Sequence, residues 1–188
     1  MVKRYIGKYG SFDYDDKEFE LRGDFLVYMG SAIDGSKIKI PEGITNCSWM
    51  FAGDNIITPP IIPEGVTNCE GMFSNCVLLK KAPVIPESVK TCTGMFYGCD
   101  SLEKPPVIPN GVENCYYMFK ACTSLKTVPV ISVNSHYYYE VYAECTALRN
   151  YVLSPVKLIS NMYQQCPPMI QEIHNFLINV QEKTEKHE

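Results

Sequence analysis

The sequence predicts an α/β repeat fold: a solenoid of about six coils of 21–23 residues, mostly short strands and turns, with a β-hairpin capping the N-terminus and a helix capping the C-terminus. Three observations predict it. Related phrases recur along the chain, as "ITNCSWMFAGDNII" from Ile44, "VTNCEGMFSNCVLL" from Val66, "VKTCTGMFYGCDSL" from Val89 and "VENCYYMFKACTSL" from Val112. The aromatic residue of each Met-Phe pair, continued by two tyrosines, falls at Phe51, Phe73, Phe96, Phe119, Tyr142 and Tyr163, with spacings of 22, 23, 23, 23 and 21. One copy also carries too few apolar residues to enclose a core, so each needs a neighbour to cover its apolar edge.

The first 27 residues form the N-terminal cap in this reading. Within and just beyond it, "EFELRGDFLVYM" from Glu18 to Met29 alternates apolar and polar residues about Gly23-Asp24, which predicts a hairpin. The tripeptide Arg22-Gly23-Asp24 spells an integrin-recognition word, but turn chemistry by itself accounts for Gly-Asp at that place. The repeat body follows over residues 28–166. A weaker first copy starts at Tyr28-Met29, because "YMGSAIDGSKIKIPEG" and "MFAGDNIITPPIIPEG" have the same length and the same ending. Within a copy, Met95, Phe96, Cys99 and Leu102 share one face of a short helical or 3₁₀ arc. The "EKPPVIP" that follows cannot continue a helix and reads as extended chain. Residues 167–188 close the chain with a helix that begins at prolines, places Ile170, Ile173, Phe176, Leu177 and Val180 on one stripe, and ends in a charged tail.

The nine cysteines follow the period. Cys47, Cys69, Cys92 and Cys115 form one column; Cys76, Cys99, Cys122, Cys145 and Cys166 form another, in which Asp54 stands at the position of the missing member. A column of small, readily buried thiols suits a tight interior. Zinc would call for closer ligand pairs of the C-x₂₋₄-C kind, and an odd count argues against a complete disulfide framework. The expectation is reduced structural thiols, with no metal and no cofactor.

The run V-x-x-C-x-x-M-F-x-x-C-x-x-L followed by I-P resembles the BspA-like leucine-rich-repeat family, in its Met-Phe-x-x-Cys-x-x-Leu branch of bacterial surface proteins, over about three-quarters of the chain. The resemblance implies a right-handed leucine-rich-repeat-like solenoid that serves as an adhesin or a protein-binding surface. The chain differs in starting without a leader or lipobox and in carrying Cys after V-x-x, where the family more often has an aliphatic residue.

Composition narrows the function. A formal net charge of -4 with no concentrated Lys/Arg patch argues against a nucleic-acid partner, and no apolar run reaches membrane-spanning length. The leaderless start predicts a cytoplasmic protein, the alternative being a surface or secreted one whose leader was removed. His136, His174 and His187 are scattered and no nucleophile elbow or phosphate loop occurs, so no catalytic residue is expected.

The positions that vary between copies are the candidates for contact. After the first-column cysteine the pairs read Ser48-Trp49, Glu70-Gly71, Thr93-Gly94, Tyr116-Tyr117 and Tyr139-Glu140, and "HYYYEVY" adds Tyr137 and Tyr138. Tyrosine offers a large rigid surface with a hydroxyl, so Trp49, Tyr116, Tyr117, Tyr137, Tyr138, Tyr139 and Glu140 are the expected partner-binding residues. Glu42, Glu64 and Glu87 make an acidic stripe, and Lys81, Lys104, Lys126 and Arg149, with Lys80, a basic one. The function expected is a non-enzymatic module for protein–protein interaction, intracellular, bacterial or encoded by a phage or mobile element, and acting as a stoichiometric inhibitor of a host protein. The alternative is an exported cell-surface adhesin module.

Overall fold

Residues 1–8, 10–128 and 139–148 are described by the computed structural model. Over them the protein is mostly strands and turns with almost no helix, and it contains two small antiparallel sheets. Strands β1 (Val2–Gly7) and β2 (Gly10–Asp15) pair from Val2 with Asp15 to Gly7 with Gly10. Strands β3 (Phe19–Arg22) and β4 (Phe25–Tyr28) pair across Gly23-Asp24, with Phe19 opposite Tyr28, which is the hairpin the alternation predicts. The β1–β2 hairpin is a second, unpredicted one. It docks on the first Pro-Glu-Gly turn where Gly10 bridges Ile44, an approach so close that a Cβ on Gly10 would lie 2.3 Å from the Gly43 carbonyl oxygen.

Between Cys47 and Leu125 the copies are joined by backbone hydrogen bonds in a regular scheme. In the Phe51 copy, the N–H groups of Cys47, Trp49, Phe51 and Gly53 donate to the carbonyls of Asn68, Glu70, Met72 and Ser74 in the next copy, at 2.8–3.0 Å. The intervening N–H groups of Met50, Ala52 and Asp54 close β-turns on Cys47, Trp49 and Phe51 at 3.1–3.3 Å. Alternate amides therefore bind the neighbour and the chain's own turn, which leaves few buried polar groups without a partner. Parallel bridges link Asn46, Asn68, Thr91 and Asn114 in series.

This scheme corrects the helical arc. The Met-Phe segment is a run of β-turns, and among the described residues the only helix is the 3₁₀ turn Gly35–Lys37. The backbone shows the reason: each copy turns through two left-handed positions, at Trp49 and Gly53, Gly71 and Asn75, Gly94 and Gly98, Tyr117 and Ala121, and Glu140 and Glu144, with φ between 49° and 80°. A left-handed residue every fourth position prevents α-helix propagation and supplies the positive φ that a second central turn position takes in type II turns. The C-terminal helix expected over 167–188 lies outside the described residues.

Packing follows the columns. Phe51, Phe73, Phe96, Phe119 and Tyr142 form a parallel stack with centroids 5.6–5.9 Å apart and planes within 3–8° of parallel. The head of the column is Tyr28, 5.3 Å from Phe51, and its N–H donates to Met50 as that of Phe51 does to Met72. The first copy is thus registered one residue earlier than the length match implies, and Met29 is left exposed. Met50, Met72, Met95 and Met118 are buried beside the rings, as are all eight described cysteines.

The second cysteine column makes a bond of its own. The thiols of Cys76, Cys99, Cys122 and Cys145 donate to the carbonyls of Phe51, Phe73, Phe96 and Phe119, each in the preceding copy, at 3.0–3.1 Å. Burial pushes the thiols of Cys69 and Cys76 up to about 12, and those of Cys47, Cys92, Cys99 and Cys122 well above their ordinary value. A thiol kept protonated is a poor nucleophile. Ellman's reagent is therefore expected to leave the eight described thiols of the native protein unmodified, and to react with all nine cysteines in denaturant. Prompt reaction of more than one thiol in the native protein would contradict the packing.

Among the described residues no helix is long and apolar enough to cross a membrane.

Candidate functional site

An aspartate or asparagine side chain can accept a hydrogen bond from the amide two residues on, and this fixes the local chain. Asn46, Asn68 and Asn114 do so to the N–H groups of Ser48, Glu70 and Tyr116, at 2.8–3.1 Å. The residue after Cys47, Cys69 and Cys115 is thereby held buried or half-buried, and the next residue is turned through a left-handed conformation. Tyr116 and Tyr139 occupy the first of these positions in consecutive copies, because the N–H of Tyr117 donates to the Tyr139 carbonyl as that of Gly94 does to Tyr116.

Three of the expected residues meet. Tyr116, Tyr117 and Tyr139 form a closed triangle of rings with centroids 6.0–6.4 Å apart, and two of the pairs are edge-on. Such tilted and edge-on contacts contribute about 0.5–1.5 kcal/mol each beyond their area. Tyr117 and Tyr139 still expose 38% and 37% of their surface.

Glu140 follows them, and here the structure adds a residue that sequence reasoning missed. Lys120 donates to the Glu140 carboxylate at 2.5 Å, lies 3.5 Å from Glu144, and places its ammonium 5.4 Å from the centre of the Tyr117 ring. The ammonium holds the Glu140 carboxyl below its usual range, and the carboxylate in turn raises Lys120. The signal for Lys120 was present in the residue after each Met-Phe pair, which reads Ala52, Ser74, Tyr97 and Lys120. Its importance emerges only once the two copies are placed side by side.

Trp49 is not part of this cluster. It occupies the same left-handed column as Tyr117 three copies earlier, and its ring lies over Gly71, where a Cβ would come within 2.5 Å of it. Glu140 is half-buried rather than fully outward. Tyr137, Tyr138 and Arg149 lie outside the described residues. Of the charged stripes, Glu42, Glu64, Glu87, Lys81 and Lys104 are exposed, while Lys126 is paired with Glu103 at 2.7 Å. No group of three or more His, Cys, Asp or Glu side chains suited to a metal ion occurs among the described residues.

Comparison of the chain with protein-family models, curated proteins and solved structures gives no match.

Proposed function

We infer that the chain is a non-enzymatic protein-binding module, a right-handed solenoid of the BspA-like leucine-rich-repeat kind whose tyrosine-rich later coils engage a protein partner inside a bacterial cell, as a stoichiometric inhibitor would. The copy-to-copy hydrogen bonds and the stacked aromatic column support the repeat architecture. The observation that carries the binding role is Tyr117. It stands in the left-handed column where the two preceding copies have Gly71 and Gly94, and where Trp49 and Glu140 are the other non-glycine members. A non-glycine residue in that conformation costs about 1–2 kcal/mol. Strain of this kind persists where the surrounding structure enforces it, and it clusters at functional sites. Here it supports a half-exposed aromatic patch with a charged edge, the composition of a binding hot spot.

The test uses the protein's own repeat as the control. Replacing Tyr116 with Thr, Tyr117 with Gly and Tyr139 with Thr gives the cluster the residues that the Phe96 copy carries at Thr93 and Gly94. The variant is expected to stay folded with a cooperative but lower thermal melt, since it loses three ring contacts of about 0.5–1.5 kcal/mol each and regains about 1–2 kcal/mol of left-handed strain at position 117. In affinity capture from bacterial lysate followed by titration of the captured protein, it is expected to bind more than tenfold more weakly than the parent chain. Equal affinity of both forms for every captured protein would refute the proposal.

A further inference from the structure

In the proline-bounded segment of each copy, solvent exposure recurs every third residue: Lys81, Val84, Glu87 and Lys90 in one copy, and Lys104, Val107, Asn110 and Glu113 in the next. A three-residue period belongs to polyproline-type chain, in which positions i and i+3 lie on one side. Because the copies are joined in register, like positions form rows across them. One row is Ile61, Val84 and Val107, which are 83%, 86% and 87% exposed. No core requires aliphatic side chains there, and every one of the three is β-branched. The adjoining row is Glu42, Glu64 and Glu87, all exposed and without an ion pair among the described residues. At the Ile61 end, the row runs into a groove of about 610 Å³ between the N-terminal hairpins and the first copy. Phe19, Ile38 and Ile40 contribute to its lining, with Glu18 and Glu42 among its charged residues and Lys39 at the end of the aliphatic row. Asp13, which also lines it, is already held by Arg4 at 2.6 and 2.8 Å.

We propose that this ridge is a second docking surface, separate from the tyrosine cluster, and that it seats an amphipathic helix of a protein partner with an aliphatic seam and a Lys/Arg edge. The apolar row calls for an apolar seam. The row advances by one residue per copy, and successive copies bring their buried rings to 5.6–5.9 Å, a repeat within the ~4.5–6 Å rise that separates residues three or four apart on a helix. Alternate residues of a strand lie about 6.6–6.8 Å apart and would drift out of step. The unpaired carboxylates select a basic edge on that side. Lys81 and Lys104, on the opposite side of the aliphatic row, disfavour a basic edge there, so the helix carries its positive charge asymmetrically.

A fluorescein-labelled synthetic helix with a leucine seam, lysines along one edge and glutamines elsewhere serves as the probe, read by fluorescence anisotropy against the full chain. It is expected to bind with a Kd on the order of 10 μM, and more weakly as salt rises. The variant Ile61→Ser, Val84→Ser, Val107→Ser, whose changes are confined to exposed side chains, is expected to lose at least tenfold. Glu64→Gln with Glu87→Gln is expected to lose several-fold and to flatten the salt dependence, and a peptide with glutamate in place of lysine is expected to bind less well than the lysine form. The tyrosine variant described above is expected to bind like the parent. Absence of binding by the parent chain, parent-like binding by the serine variant, or equal binding of the glutamate peptide would each overturn the proposal. None of these bears on the tyrosine cluster, whose test is independent.

Discussion

Replacing Phe96 with alanine is expected to remove about 3–5 kcal/mol of folding free energy and to lower the melting temperature by roughly 10 °C. Phe96 is fully buried, with Phe73 at 5.9 Å on one side and Phe119 at 5.6 Å on the other, in planes 3° and 8° from parallel. Deleting the ring removes the transfer free energy of a buried aromatic and two ring contacts at once, and it leaves a cavity that can collapse only if both neighbouring copies shift. Those copies are held by amides on either side of the ring: Phe73 N–H to the Met95 carbonyl, and Phe96 N–H to the Met118 carbonyl, both at 2.9 Å. Such a site relaxes poorly, which favours the upper part of the range. The thiol of Cys122 donates to the Phe96 carbonyl, so any backbone shift also strains the cysteine column. Phe96→Leu, which keeps most of the volume, is expected to cost less than half as much. Chemical denaturation of the three forms at one pH decides the matter; a loss below about 1 kcal/mol for the alanine variant would show that the aromatic column does not hold the copies together.

That column was legible in the sequence because packing repeats when the backbone does. Phe51, Phe73, Phe96 and Phe119 fall at nearly constant spacing, and the structure stacks them in that order. The conformation between column positions was harder to read. Offsets of one, four and seven residues from a methionine satisfy a helix and a chain of β-turns equally well. What separates the two is the residue type at the left-handed positions: Gly53, Gly71, Asn75, Gly94 and Gly98 supply glycine or asparagine where the turns require positive φ. A helix has no use for them at that interval. At Trp49, Tyr117, Ala121, Glu140 and Glu144 the chain departs from this preference, and these departures obscured the pattern. Tyr116, Tyr117 and Tyr139 were readable as a candidate surface because they vary where other copies are plain. The part played by Lys120 depended on which copy lies beside which, and it became visible only in three dimensions. The β1–β2 hairpin was missed because it belongs to no repeat, although Tyr5, Phe12 and Tyr14 give its inward side, with Tyr5 stacked on Phe12 at 4.9 Å.

Asp54→Cys is expected to stabilise the protein, and to do so far more at neutral than at acidic pH. Asp54 holds the place that Cys76, Cys99, Cys122 and Cys145 fill in later copies, where each thiol donates to the carbonyl of the aromatic residue in the copy before. An ionised carboxylate has no proton to donate. Its Oδ2 atom is buried without a hydrogen-bond partner, and desolvation pushes the carboxyl up to about 6 from an ordinary value of 3.8. The folded state therefore binds this proton more tightly than the unfolded state does. Asp54 contributes no penalty below about pH 4, where it is protonated in both states; stability is then lost as pH rises through about 6, and the penalty is complete above that. After allowance for solvent screening of a partly exposed side chain, the penalty at pH 7.5 is on the order of 1–2 kcal/mol. Cysteine removes it and restores a donor worth about 0.5–1 kcal/mol. The melting temperature should rise by roughly 4–8 °C at pH 7.5 and by only ~1–2 °C at pH 4. Asp54→Asn isolates the charge: it should flatten the same pH dependence without completing the thiol column. An equal gain from Asp54→Cys at both pH values would mean that the shape of the side chain, and not its buried charge, sets the cost at this position.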